Sequence, residues 1–134
     1  MYRLTWILFA FLSLVLSALA IPVPVPQGIV SPEKHKRTTH SGRGTWYYPG
    51  LGNCGGTNNQ NQFVVAIAKS FYDQTNGSNC YKNVQITHNG QTVSAQIVDS
   101  CQSCGPNDLD MSPATFKALA PLSVGVIPIS WTIS

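Results

Sequence analysis

The chain has 134 residues and a formal net charge of +3, with eight Lys and Arg against five Asp and Glu. The excess positive charge lies before Gly42, because the 93 residues from Gly42 to Ser134 contain four cationic and four anionic side chains. A neutral stretch lacks the cationic footprint of nucleic-acid binders, so we expect no nucleic-acid partner. Its length suits one small hydrophobic core.

Residues 1–20 are typical of a secretory signal peptide. Arg3 gives a basic start, an almost wholly apolar run covers residues 6–19, and Ala18-Leu19-Ala20 has the small-x-small pattern of a cleavage site. A membrane anchor is the alternative, but the apolar run is short for a span. We therefore expect a secreted, extracellular chain with no membrane association after signal removal.

Residues 21–41 are predicted to be a Pro-rich and basic linker or propeptide. Alternating prolines after Ile21 favour an extended, unpaired chain. Lys36-Arg37 is a dibasic pair, which fits either a second processing site or a solvated linker. The remaining residues, 42–134, are predicted to form the only globular domain.

The chain contains four cysteines, Cys54, Cys80, Cys101 and Cys104. In a small exported domain this number predicts two disulfides. Cys101-x-x-Cys104 also has zinc-ligand spacing, but the domain has no second such pair and only His88 as a histidine. We expect no metal and no cofactor. Asn76-Gly77-Ser78 is an N-glycosylation sequon in a polar loop.

Short β-prone segments follow one another along the domain, at residues 44–48, 63–68, 83–88, 92–98 and 126–133. Asn89-Gly90 between the third and fourth predicts a type I′ hairpin. Ser112-Pro113 is a helix start, so a short helix is expected over residues 114–120, ended by Pro121. Pro128 places part of the last strand at an edge or a bulge. The pattern predicts a small, mainly β barrel with one short helix.

Five segments in order resemble motifs of expansins, barwin-like proteins and rare lipoprotein A-like proteins. They are Gly-Thr-Trp-Tyr-Tyr at 44–48, Gly-Leu-Gly-Asn-Cys-Gly at 50–55, Ile-Val-Asp-Ser-Cys at 97–101, Leu-Asp-Met-Ser-Pro-Ala-Thr-Phe at 109–116 and Val-Gly-Val-Ile-Pro-Ile-Ser-Trp at 124–131. The chain looks most like the short, single-domain, secreted fungal members. The resemblance implies a six-stranded double-psi β-barrel pinned by disulfides, with Cys54 paired to Cys80 and Cys101 to Cys104.

The resemblance also implies an open groove that binds extended polysaccharide. Its polar centre corresponds to Thr45, Tyr47, Asp99 and Asp110. Asp110 is the candidate general acid for glycoside cleavage, with Asp99 or Asp108 as the second carboxylate. Asp110 could instead serve the following helix start, and Asp99 could fasten its own turn.

The catalytic aspartate pair of related endoglucanases is not clearly complete in this chain. We therefore expect a monomeric, expansin-like protein that binds cell-wall polysaccharide without hydrolysis. One alternative is an inhibitor of papain-like cysteine proteases or another protein-binding effector, since relatives of similar size include such inhibitors. The other is a glycan-cleaving hydrolase or lytic transglycosylase.

Overall fold

A computed structural model describes residues 37–134, so the expected signal peptide and most of the expected linker lie outside the described residues. Six strands form a closed barrel: β1 (His40–Trp46), β2 (Val64–Ala68), β3 (Asn83–His88), β4 (Gln91–Cys101), β5 (Leu109–Met111) and β6 (Ile127–Ile133). Their order around the barrel is β1-β5-β2-β4-β3-β6. The prediction of a six-stranded, mainly β barrel is confirmed.

The barrel mixes parallel and antiparallel neighbours. β1 with β5 and β2 with β4 are parallel, and the other four pairs are antiparallel. Closure gives every strand a neighbouring strand on both sides over at least part of its length. Strands distant in sequence, such as β1 and β5, are therefore brought side by side.

The core fills the interior of the barrel with alternating strand residues and the apolar face of one helix. Trp131 of β6 is 2% exposed and lies in this core. The core residues are Val65, Ile67, Val84, Ile86, Ala95, Ile97, Leu109, Met111, Phe116, Leu119, Ile127, Ile129 and Trp131. Residues between them on the strands point away from the barrel interior, and on β2 these are buried as well.

Two short α-helices flank the barrel, α1 (Lys69–Gln74) and α2 (Pro113–Lys117), and a 3₁₀ turn covers Leu122–Val124. α2 was predicted, and the Ser112 hydroxyl caps it by accepting from the Thr115 backbone N–H at 3.2 Å. α1 was not predicted, because β2 runs directly into it and no side chain caps its start. Within residues 37–134 no helix is long and apolar enough to cross a membrane.

Turn chemistry agrees with the sequence. Asn89 and Gly90 both have positive φ, 47° and 78°, as the type I′ hairpin between β3 and β4 requires. Pro128 pairs with β1, whereas β3 pairs with β6 only from Ser130 onward, so the proline has a strand on one side only. β1 begins at His40, two residues before the expected start of the domain.

Candidate functional site

A row of four residues crosses four neighbouring strands. Thr45 of β1 is in register with Asp110 of β5, Asp110 with Ala66 of β2, and Ala66 with Asp99 of β4. The residues on either side of Asp110 belong to the core, so Asp110 and this cross-strand row face outward. At the usual strand spacing the backbones of Asp110 and Asp99 lie about 10 Å apart. The fold thus brings together the carboxylates that the resemblance implied.

Asp110 is the half-buried centre of the cross-strand row. The Thr45 hydroxyl donates a 2.8 Å hydrogen bond to Oδ1 of Asp110, which fixes the carboxyl group. Burial raises the pKa of Asp110 above its usual value, and the charge of Asp99 adds to the rise, while the Thr45 hydrogen bond opposes it. Asp110 does not cap α2, because Ser112 performs that function.

Tyr47 lies two residues beyond Thr45 on the same outward face of the chain. Its hydroxyl is buried and has no hydrogen-bond partner among the described residues. Burial, and then the charges of Asp99 and Asp110, raise the pKa of this phenol well above its usual value, so it stays protonated. The structure therefore leaves a buried O–H donor beside two carboxylates without a hydrogen-bond partner among the described residues.

Asp99 joins the cross-strand row to the loop that follows β1. Its Oδ1 accepts hydrogen bonds from the backbone N–H groups of Asn53 at 2.9 Å and Ser100 at 2.7 Å. The loop approaches β4 so closely that a Cβ at Gly52 would overlap the Val98 carbonyl oxygen. The turn-fastening role that the sequence suggested for Asp99 is thus present, together with its place in the row.

Asp108 is fully engaged in structure. Its carboxylate accepts from the Arg43 backbone N–H at 2.8 Å, from the Arg43 guanidinium at 2.8 Å and from the Gly105 N–H at 3.0 Å. Burial acts to raise the pKa of Asp108, but the hydrogen bonds from Arg43 and Gly105 outweigh it and lower the pKa. The Asp108 carboxylate thus holds the segment before β5 against β1, so Asp108 is a poor candidate for the second carboxylate of glycoside cleavage.

Both disulfides have the pairing that the resemblance implied, Cys54–Cys80 and Cys101–Cys104, and no described cysteine is free. A carboxylate oxygen of Asp110 lies within 4.8 Å of both sulfurs of Cys101–Cys104. Because these sulfurs are bonded to each other, they offer no thiolate for zinc. The disulfide instead fixes the backbone next to the cross-strand row.

The three consecutive aromatics Trp46, Tyr47 and Tyr48 do not share one face. Trp46 packs against the core and donates from Nε1 to the Leu122 carbonyl at 3.1 Å. Tyr48 is 67% exposed and meets the Trp46 ring edge-on, with 5.6 Å between centroids. An exposed aromatic ring thus lies on the chain just beyond Tyr47.

Neither of the described histidines hydrogen-bonds to Asp110. His88 Nδ1 lies 2.7 Å from the Pro128 carbonyl oxygen, and His40 Nδ1 lies 3.2 Å from Asn107 Oδ1. Within residues 37–134, Asp110 therefore has no imidazole partner. Asn76 is exposed just after α1, and its glycosylation stays a prediction.

Two features of the site were missed from the sequence. Ala66 occupies the middle of the cross-strand row, and its small side chain separates the two carboxylates. The unpartnered Tyr47 hydroxyl was also missed. The continuous apolar run of residues 63–68 placed Ala66 on a strand, but the pattern did not contain the strand order that sets Ala66 between Asp110 and Asp99.

Comparisons with known proteins agree with this architecture. Residues 39–131 match the family model described as lytic transglycolase, a rare lipoprotein A-like double-psi β-barrel family. A papain inhibitor from Streptomyces mobaraensis is 33% identical over 137 residues, covering 96% of this chain and 94% of that protein. The solved structure of the Streptomyces papain inhibitor superposes with a TM-score of 0.65 and 32% identity, over 72% of this chain and 94% of that one.

An expansin variant from Clavibacter michiganensis, solved in complex with cellohexaose, also superposes with a TM-score of 0.65. It is 29% identical over 72% of this chain, and the match spans half of the expansin. The family match covers most of the chain, and the papain inhibitor matches almost end to end. The chain therefore belongs to the rare lipoprotein A-like double-psi β-barrel family described as lytic transglycolase.

Proposed function

We propose that this protein is secreted, acts as a monomer, and binds cell-wall polysaccharide without cleaving it. The observation that carries the proposal is the outward row of Thr45, Asp110 and Asp99 with the unpartnered Tyr47 hydroxyl beside it. Sugar hydroxyls supply both the donors that carboxylates need and the acceptors that a phenol needs. The two disulfides support an extracellular location.

Exposed apolar and aromatic residues that lie close to Tyr47 in the chain also support glycan binding. Tyr48 is 67% exposed and Leu51 is 76% exposed, and both follow Tyr47 closely in the chain. Aromatic rings offer flat apolar area with a polar tip, which suits the faces and rims of sugar rings. The likeness to an expansin solved with cellohexaose supports an extended β-linked glucan as one ligand to test.

Binding without cleavage follows from the states of the carboxylates. Glycoside cleavage needs an acid and a second carboxylate held across one bond, with well-separated pKa values. Asp110 has the raised pKa of an acid, but Asp108 is held by Arg43, and Oδ1 of Asp99 is occupied by two backbone N–H groups. Neither Asp108 nor Asp99 is therefore free to act as the second carboxylate, so we expect no cleavage.

Pull-down on insoluble cellulose, chitin and fungal wall tests this function. Asp110→Asn should weaken binding about tenfold, because a hydrogen bond to a charged group contributes about 1.5–3 kcal/mol. Asp73→Asn is the matched control, since Asp73 lies on α1 and pairs only with Lys69. Equal binding by the parent and Asp110→Asn, or release of reducing sugar by the parent, would contradict the proposal.

A second candidate function is inhibition of papain-like cysteine proteases. The observation that favours it is the papain inhibitor that matches 96% of this chain and 94% of its own length. Inhibition would use exposed loops rather than the cross-strand row, so Asp110→Asn should leave it unchanged. A papain assay with parent and variant separates the two functions: potent inhibition with no polysaccharide binding would replace the first proposal.

A further inference from the structure

A cavity lies away from the cross-strand row. It has a volume of about 420 Å³ and is lined by Thr38, His40, Phe71, Asn79, Lys82 and Ile133. His40 and Thr45 are five residues apart on β1, which corresponds to about 17 Å along an extended strand. They also occupy opposite faces of the strand, because their spacing is odd. This cavity is therefore separate from the candidate groove.

Aromatic and aliphatic side chains form one wall of the cavity. The His40 ring stacks on core Trp131 with 4.1 Å between centroids, and Phe71 of α1 lies 5.4 Å from His40 at a tilt of 58°. Ile133 at the end of β6 adds an aliphatic surface. Because the core holds the stacked rings in place, this wall is preformed and gives the cavity an aromatic lining.

Among the described residues, one lysine lines the cavity and gives it a positive charge. Lys82 Nζ donates to Asn79 Oδ1 at 3.0 Å, and Asn79 is only 6% exposed. No carboxylate lines the cavity, and the two ion pairs among residues 37–134 do not include Lys82. A cation held by a neutral amide retains its charge for a ligand.

We propose that this cavity binds small aromatic carboxylates. The planar ring would lie against His40 and Phe71, and the carboxylate would face Lys82. The volume falls within the range of ligand sites, about 300–1,000 Å³, and the combination of an apolar wall with few polar groups is typical of them. The charge selects an anion, since the residues of 37–134 that line the cavity include one lysine and no acidic side chain.

Titration of the ¹⁵N-labelled full chain with 2-naphthoate, followed by NMR, tests this proposal. We expect shift changes at Asn79, including its side-chain amide, and at Phe71, with no change at Asp110. 2-Naphthamide is the neutral probe of nearly equal shape and should bind about fivefold more weakly, as the loss of one partly exposed charge pair predicts.

Two variants separate charge recognition from general stickiness. Lys82→Gln removes the charge but retains a hydrogen-bond donor for Asn79, and should reduce naphthoate affinity to that of the amide. Lys117→Gln is the matched control, because Lys117 also lacks an ion pair among the described residues and lies on α2. Absence of naphthoate binding, equal binding of both probes, or shift changes outside the cavity would overturn the proposal, whatever the outcome for polysaccharide.

Discussion

Replacing Tyr47 with phenylalanine should make the protein more stable and a weaker binder at the same time. The Tyr47 hydroxyl is buried and lacks a partner among the described residues. An unsatisfied buried polar group costs about 1–3 kcal/mol, so its removal should raise the free energy of unfolding by about 1 kcal/mol. For a domain of this size that corresponds to a melting temperature about 4–8 °C higher.

Binding should change in the opposite direction. If the hydroxyl donates to a sugar oxygen, Tyr47→Phe loses one hydrogen bond of about 1 kcal/mol, and affinity falls about fivefold. Such a stability gain with an affinity loss is the usual sign of a polar group kept for function.

Thermal unfolding and polysaccharide pull-down on the same preparations measure both effects. Tyr48→Phe is the control, because Tyr48 is 67% exposed and its hydroxyl is in contact with water in both the folded and the unfolded state. We expect its melting temperature to stay within about 1 °C, as surface changes usually do. A destabilised Tyr47→Phe, or one with unchanged binding, would refute the reasoning.

Three further predictions follow from the described residues. The raised pKa of Asp110 means that ionising this carboxyl destabilises the folded state at pH values above that pKa. Asp110→Asn should therefore have a higher melting temperature than the parent at pH 7. In melts at decreasing pH, the difference between the two melting temperatures should disappear as the pH falls through the raised pKa. A chain starting at Thr38 should have the same melting temperature as the full chain. A chain starting at Ser41 should have a lower one, because it loses the His40 ring that stacks on Trp131. Equal melting temperatures for all three chains would contradict this. In denaturant titration, replacing Cys101 and Cys104 with serine should lower the free energy of unfolding less than removing Cys54–Cys80, whose 26-residue separation predicts about 3 kcal/mol. Loss of Cys101–Cys104 should nevertheless weaken polysaccharide binding more. The reverse order of either effect would contradict the assigned roles.

Local patterns predicted the elements well where one residue type determines the backbone. Asn89-Gly90 fixed the hairpin through its positive φ angles, and Ser112-Pro113 fixed the start of α2. α1 carries no such signal, since it continues from β2 without a cap and its residues contact the core only through Phe71 and Tyr72. The parallel pairing of distant strands could not follow from periodicity and came from the resemblance.

The candidate site was predictable as a set of residues, but not as a geometry. The resemblance named Thr45, Tyr47, Asp99 and Asp110, and strand register brings them to one outward face. Composition could not distinguish Asp108 from its neighbours. Only the position of Arg43 across the β1–β5 pair shows that this carboxylate is occupied.

The most direct test of the central claim is an NMR titration of the ¹⁵N-labelled chain with cellohexaose and with chitohexaose, followed by mass analysis of the sugars. We predict that at least one hexaose shifts the amides of Thr45, Tyr47, Asp99 and Asp110, and that every hexaose is recovered intact. Shifts confined to other surfaces, no response to either sugar, or recovery of shorter oligosaccharides would contradict a groove that binds glycan without cleaving it.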